Sequence, residues 1–284
     1  MTPNGAAPGT RPVGSGPFTL ASASDGIRLQ ANATHFAGRP YLDALTLRAT
    51  PGRTEEAQRF EAGALDATRQ AAAMPGARRS GEVAEGPRAL TGFIAADRTL
   101  TDEAVAPIMT AIRLGVDRER LRQKLRDPAR AIAGPSDQAA ARAAVEKAPQ
   151  RKVALLVDRG RFDDRAVAER LLVELSRLGL ELSIDAVESP AYLERLQSRE
   201  YELALGTAVA PAPELGELAL LAVVDPLAAR AQLARAQSPT GITPPRIVPL
   251  YQRAARVTHA AELRGLHVDA QGRASWPDAR WVRP

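Results

Sequence analysis

Residues able to do covalent or acid–base chemistry are few and scattered in this sequence. It has no cysteine, which removes thiolate zinc sites, iron–sulfur clusters, disulfide frameworks and a thiol nucleophile. Its three histidines, His35, His259 and His267, each stand alone, with no HExxH pair to hold zinc and no GxSxG elbow to present a serine. A lone histidine is more often a surface or satisfied structural group than a ligand or a base. Val13-Gly14-Ser15-Gly16-Pro17 contains GxG, but Thr19 stands where a dinucleotide fingerprint needs its third glycine. The residues from Phe18 onward also read as strand rather than as the helix whose N-terminus would hold a pyrophosphate. Asp163-Asp164 could suggest half of a metal site, yet helix capping accounts for both acids. Asn32-Ala33-Thr34 matches a glycosylation sequon, a pattern too common to decide anything, and Trp276 and Trp281 read as core or rim anchors. The sequence therefore predicts no catalytic residue, no metal and no cofactor.

Composition narrows the classes further. The chain has 284 residues, 45% hydrophobic and 25% charged, which is enough for one large or two modest globular domains. The net charge of +5 includes only three lysines, and the arginines are dispersed among acids rather than gathered on one basic stripe with aromatics. That distribution argues against nucleic acid as a partner. The densest basic stretch, Asp117 to Arg130, alternates signs at helical spacing, as a solvated helix face does. No run of 18 apolar residues is present, so no membrane span is expected. Residues 1–16 are Pro, Gly, Ala and Thr rich, without a basic start or an apolar core, and read as a flexible leader rather than a signal peptide.

Elements that would position a site are clearest in the middle of the chain. Phe18 to Ala21, Gly26 to Ala31 and Leu42 to Ala49 are strand candidates, and a helix is expected from Thr54 to Gly63. The segment Met74 to Pro87, rich in Gly, Pro and Arg, reads as a crossing between lobes. Asp102 to Leu114 carries Val105, Ile108, Met109 and Ile112 at helical spacing, and Val116 to Glu119 opens a second helix. Ala131 to Pro149 reads as a Pro/Ala connector. Val153 to Val157 is a continuous apolar run, as in a strand buried on both faces. A helix opened by Asp163-Asp164 places Val167, Leu171, Leu172, Leu175 and Leu178 on one stripe and stops at Gly179. Leu180, Leu182, Ile184 and Ala186 alternate with polar residues, which completes a β-α-β unit with parallel strands. Ala191 to Gln197 and Tyr201 to Leu205 add a helix and a strand. The fold class is α/β or mixed α+β in two lobes. The predicted division is a leader over 1–16, part of a first lobe over 17–85, a second lobe over 86–240 and a return to the first lobe over 241–284.

Several stretches, in order, resemble the family 5 extracellular solute-binding proteins, the peptide-type and nickel-type receptors of bacterial ABC importers. Val13 to Phe18, Asn32, Phe36-Ala37-Gly38-Arg39-Pro40-Tyr41-Leu42-Asp43 and Glu61 to Asp66 are similar to that family's "GTGPY" turn, its "N…YW.GRPYLD" and its "l.aGelD". Val105 to Ile112 and Val116-Asp117-Arg118-Glu119 resemble "VRqAi..AiDRe", with Ala106-Pro107-Ile108 a poor fit. Lys152 to Ala212 continues the likeness. Ile247-Val248-Pro249-Leu250-Tyr251, Leu263 to Leu266 and Trp276-Pro277-Asp278 resemble the terminal return to the first lobe.

The resemblance implies a two-lobed, periplasmic-binding-protein-like architecture that encloses a small solute, a peptide or another, and presents it to an ABC permease. It implies a periplasmic or cell-envelope location and no catalysis. The family's chains begin with an export signal and a long N-terminal portion. This sequence starts at the "GTGPY"-like turn, so it is expected to be N-terminally truncated. Peptide-binding relatives carry "W.aDypdP" after the strand at Tyr201, and the acid there pairs with the ligand's α-amine. The matching positions are Thr207, Ala208 and Pro211, with Ala208 for the tryptophan and Pro211 for the aspartate. These three are the candidate ligand-binding residues, and the missing acid favours an apolar or neutral ligand. Glu214, three residues on, is the one substitute in sequence. The competing expectation is a remnant that keeps the fold as an interaction protein and binds no solute.

Overall fold

The computed structural model describes residues 15–24, 26–50, 53–68, 79, 81–97, 100–125, 129–209, 246–269 and 273–282. The chain forms two compact units, Met1–Pro87 with Ala255–Pro284, and Arg88–Ala254.

In the first unit β1 (Phe18–Ser22), β2 (Ile27–Ala31) and β3 (Ala44–Leu47) form an antiparallel sheet. Its inner face puts Phe18, Leu29 and Leu45 against Ala260, Leu263, Ala279 and Trp276. Helix α1 (Arg53–Glu61) has Glu55 and Glu56 in its first turn, where the positive end of the helix favours acids, and buries Ala57 and Phe60. Short β4 (Ala67–Thr68) and β5 (Gly81–Glu85) follow. The stretch read as a plain crossing thus contains a strand. Its partner lies some 170 residues further along the sequence, so no local pattern announced it.

The second unit opens with β6 (Leu90–Ala96). Helix α2 (Asp102–Gly115) is capped by the Thr101 side chain and buries Val105, Ile108, Met109 and Ile112, the predicted stripe. Short α3 (Arg118–Arg122) is capped by Asp117, buries Leu121 and keeps Glu119 and Arg120 exposed, while Arg118 reaches the Ile132 and Arg113 carbonyls. After β7 (Ala129–Ala131) comes α4 (Gln138–Lys147), inside the stretch expected to be a connector. Asp137 accepts from Ala140 N at 2.9 Å, and alanine is the best helix former. Its apolar residues are alanines and Val145, and it buries only Ala141 and Val145.

β8 (Lys152–Asp158), α5 (Phe162–Ser176) and β9 (Glu181–Val187) form the predicted β-α-β unit, with β8 and β9 parallel. Val167, Leu171, Leu175 and Leu178 are buried, as the stripe requires, and Leu172 packs at its margin. Gly179 adopts φ +91°, which turns the chain so that Leu180 N bonds Leu175 O and the helix ends. Helix α6 (Ser189–Ser198) leads to β10 (Leu203–Val209), parallel to β8, and β11 (Ile247–Arg253) completes the sheet. The strand order is β7-β11-β6-β10-β8-β9. Leu155 and Val157 point into the main core with α2 and α5, whereas Leu156 packs with Tyr192 and Ala204 on the other face. Burial on both faces is why β8 reads as an unbroken apolar run.

The first unit is completed by β12 (Arg256–Ala260), which lies between β4 and β5, and by the short ladders of β13 (Leu263–Arg264) with β16 (Arg280–Trp281) and β14 (His267–Val268) with β15 (Ala274–Ser275).

Candidate functional site

In open α/β sheets, loops at the carboxyl ends of parallel strands are where ligands gather. In the second unit that edge is marked by Asp158, Val187 and Val209, the last residues of β8, β9 and β10. Antiparallel β6 begins and β11 ends at the same edge, since Leu90 faces both Val209 and Arg253. Just beyond, the chain passes between units twice, at Pro87–Arg88 and at Ala254–Ala255.

This edge is rich in buried charge. Asp158, Asp163 and Asp164 are all buried. Asp158 Oδ1 accepts from Ser189 Oγ at 2.7 Å and from Gly160 N at 2.9 Å, while its Oδ2 lies 3.4 Å from Arg161 Nε. Asp163 Oδ2 accepts from Arg253 Nη1 at 2.8 Å, which ties α5 to the last residue of β11. Such partners are required, because an isolated charge taken out of water costs several kcal/mol. The expectation that Asp163 and Asp164 cap α5 is corrected here. The N-cap is Arg161, with no side-chain cap bond, and both acids lie in the first turn. Asp163 is drawn to an arginine 90 positions away, a partner that local sequence does not reveal.

Two arginines flank Gly160, each paired with an acid and each reaching solvent. The Arg161 side chain is 37% exposed, and its Nε faces the buried Asp158 carboxylate. Arg159 is engaged by Glu188 Oε1 at 3.3 Å and by the Ala186 carbonyl at 3.1 Å. Both guanidiniums are anchored and open to solvent, and Arg161 is the one whose acid is buried.

The sequence candidates fall on β10 and beyond it. Thr207 and Ala208 are neighbours on β10 and so face opposite sides of the sheet. Thr207 is paired with Gly92, and Gly92 with Tyr251, so the three form one row across β10, β6 and β11. The Tyr251 ring fills the space above Gly92: a Cβ there would stand 2.6 Å from Cε1 and closer still to Cζ. Tyr251 is fully buried. Burial is the main cause that drives its phenol pKa far above the usual value. Asp164 and Asp163 push the same way, and Arg253 and the Thr207 hydroxyl oppose them. The Tyr251 and Thr207 hydroxyls are close enough to interact, yet neither has a hydrogen bond of ordinary geometry. On the opposite face the Phe93 ring covers Gly206, where a Cβ would meet Cζ at 2.8 Å. Ala208 is buried. Pro211 and Glu214 lie outside the described residues.

Sequence reasoning missed Asp158, Arg161, Ser189, Tyr251 and Arg253. A usable signal was present in Gly92 and Gly206, since a glycine inside a strand marks close approach of another group. Of the histidines, His259 is buried with Nδ1 2.9 Å from the Ala260 carbonyl, and His35 is half-buried with Nδ1 3.1 Å from the Ser15 carbonyl. Among the described residues no group of three or more His, Cys, Asp or Glu could hold a metal ion, and no helix is long and apolar enough to cross a membrane.

The family model for the middle part of the bacterial extracellular solute-binding proteins, family 5, matches residues 2–216. The chain belongs to this family. As a family 5 solute-binding protein it resembles solved relatives in fold at low identity. It matches a dipeptide-binding protein from Pseudoalteromonas sp. SM9913, solved with Met-Leu, at a TM-score of 0.72 and 16% identity, over 94% of this chain and 64% of that one. AppA from Bacillus subtilis, solved with a nonapeptide, gives 0.68 and 13% identity over 94% and 66%. NikA from Brucella suis, solved with Fe(III)-EDTA, gives 0.68 and 13% over 91% and 66%. In sequence, the oligopeptide-binding protein AppA of B. subtilis is 38% identical over 58 residues, 20% of this chain and 11% of that protein. This family 5 protein thus spans about two thirds of the length of its solved relatives, and the mixed α+β, two-lobed class read from the sequence agrees with them.

Proposed function

We propose that this protein is the solute-binding component of a peptide-type ABC importer. It holds a small solute at the carboxyl edge of the six-stranded sheet, delivers it to a permease at the cell envelope and performs no chemistry. The observation that carries the reading is the constellation at that edge, where buried Asp158 holds Arg161, a cation whose side chain reaches solvent. In the first unit β5 and β12 run antiparallel up to Glu85 and Arg256, and Gly86 N bonds the Ala255 carbonyl at 2.9 Å.

Ligand chemistry follows from the charges. Arg161 offers a cation to a carboxylate or another anionic group, and a charge-assisted bond of this kind is among the stronger polar contacts. Segment 207–211 offers no acid to a ligand ammonium, with Ala208 and Pro211 where family peptide receptors place Trp and Asp. The preferred solute is therefore a small molecule or peptide with a free carboxylate and a blocked or absent α-amine.

Calorimetric titration of the chain with N-acetylated and free-amine short peptides tests this. Binding of the acetylated set, with a weaker free-amine set, supports the reading. A preference for free amines overturns the assigned ligand chemistry. If no peptide binds, in calorimetry or as a rise in melting temperature, solute binding itself fails and the protein is a scaffold that has kept the family fold. A ligand at a hundred times its Kd adds about 2.7 kcal/mol to the folded state, so such a shift is measurable.

A further inference from the structure

Helix α6 covers its face of the six-stranded sheet only in part. Leu156 packs there with Tyr192 and Ala204, and Val187, Leu196 and Tyr201 lie around them. Ala154, two residues earlier on β8, shares that face but is left half-buried. Two features of the chain leave it so. Helix α6 ends at Ser198, where Arg199 adopts φ 65° and turns the chain, and Glu200 N bonds the Arg195 carbonyl at 2.9 Å. Strand β10 then pairs with β8 only from Leu203 onward. Before that point the Glu202 carboxylate stands in for a strand and accepts from Ala154 N at 2.6 Å.

The result is a cavity of about 360 Å³ within the second unit, bounded by Ala154, Leu156, Asp185, Arg195, Arg199 and Glu200 among others. Its volume falls in the range of about 300–1,000 Å³ that holds small molecules. It lies away from the edge that carries Asp158 and Arg161. Ala154 precedes Asp158 by four residues, about 13 Å of strand. Helix α6 runs between the two places, since its first residue, Ser189, bonds Asp158 and its last turn carries Arg195.

Both signs of charge meet in this cavity. Asp185 Oδ2 accepts from Arg195 Nη1 at 2.6 Å, and the Glu200 carbonyl accepts from Arg195 Nε at 3.1 Å. Arg195 Nη2 and the Glu200 carboxylate have no protein partner among the described residues. A planar guanidinium fixed through two of its nitrogens offers the third in a set direction. The cavity thus joins an oriented donor, an open carboxylate and the apolar surface of Ala154 and Leu156. A ligand with a single charge would meet a like charge there as well as an opposite one, which selects against it.

We propose that this cavity is a second small-molecule site, separate from the sheet edge, for a zwitterionic α-amino acid with an apolar side chain. The ligand carboxylate accepts from Arg195 Nη2, its ammonium donates to Glu200, and its side chain covers Ala154 and Leu156. This assignment stands whether or not a solute binds beside Arg161.

The test is an NMR titration of the 284-residue chain with L-leucine, read at the Arg195 Nε–H and at the backbone amides of residues 199–203. These signals shift saturably. N-acetyl-leucine, which lacks the ammonium, and leucinamide, which lacks the carboxylate, bind there at least about tenfold more weakly. Arg195→Gln and Glu200→Gln each weaken leucine by at least about the same factor. Glu200→Gln breaks no side-chain contact among the described residues, so its melting temperature is unchanged, which separates lost binding from lost folding. No saturable shift at millimolar leucine, equal binding of either singly charged analogue, or indifference to Glu200→Gln would each overturn the proposal. Shifts confined to residues 158–161 and abolished by Arg161→Gln would overturn it too, because they place leucine at the sheet edge.

Discussion

Tyr251 lies flat across Gly92, two residues paired on neighbouring strands, so the absence of a side chain at 92 is what lets the phenol ring span β6 toward Thr207. Gly92→Ala drives a methyl group into that ring in a core with no room to move. Overpacking of this kind costs about 3 kcal/mol. Urea unfolding of the variant reads the loss, and a second substitution, Tyr251→Ala, relieves the clash. If Gly92→Ala unfolds at the wild-type urea concentration, the ring does not occupy that space.

Tyr251→Phe carries the opposite expectation. It removes a buried hydroxyl without an ordinary hydrogen bond, and the stability of the fold stays level or rises by up to about 1 kcal/mol. Tyr192→Phe, which removes a 2.8 Å bond to the Leu205 carbonyl, lowers stability by about 1 kcal/mol. Parallel urea melts of the two variants make the comparison. Equal losses would mean that the Tyr251 hydroxyl has a partner as good as that of Tyr192.

Burial raises the pKa of Tyr192 and Tyr251 above the ordinary value of 10.0. A phenol that stays protonated when folded but ionises when unfolded contributes stability below pH 10 and loses it as pH rises beyond. Each group then lowers stability by about 1.4 kcal/mol per pH unit above 10. The Tyr251→Phe variant shows a shallower alkaline loss by that amount, measured as urea midpoints between pH 9 and about 11.

Arg253→Met leaves Asp163 buried without its partner and costs about 3 kcal/mol. Replacing both, Asp163→Leu with Arg253→Met, recovers most of the loss, because two apolar groups need no desolvation to be offset. A double variant as unstable as the single one would show that the pair does more than compensate its own burial.

Arg161→Gln keeps much of the side-chain length and removes the charge at the sheet edge. Affinity for carboxylate ligands falls at least about tenfold, or about 1.4 kcal/mol, and the free protein melts lower only modestly, because buried Asp158 loses one partner but keeps Ser189 Oγ and Gly160 N. Pro211→Asp supplies the acid that family peptide receptors carry and raises affinity for free-amine peptides. Calorimetry reads both, and no gain with the fold intact counts against the alignment of segment 207–211.

The strands and helices whose signals are local were legible from residue order. β8 declares itself as an apolar run, α5 as a stripe stopped by Gly179, and α2 as four apolar residues at helical spacing. Helix α4 was not legible, since its apolar face is built almost entirely of alanines, and a small-residue stretch between two prolines reads as a connector. The acid pair at 163 and 164 was legible as the start of a helix and illegible as half of an ion pair, because Arg253 comes from another strand.

What the sequence determined by itself is α2, α3 and the run from β8 to β10 in the second unit and, through its ordered Gly, Pro and aromatic motifs, the family. What the tertiary structure decided is which elements become neighbours. β6 is inserted between β10 and β11, from distant parts of the chain, and only that insertion puts Thr207, Gly92 and Tyr251 in one row. It also aligns Asp158, Arg161 and Arg253 at one edge. Strand order depends on how faces and edges close against one another, a property of the whole assembled sheet rather than of any local run of residues.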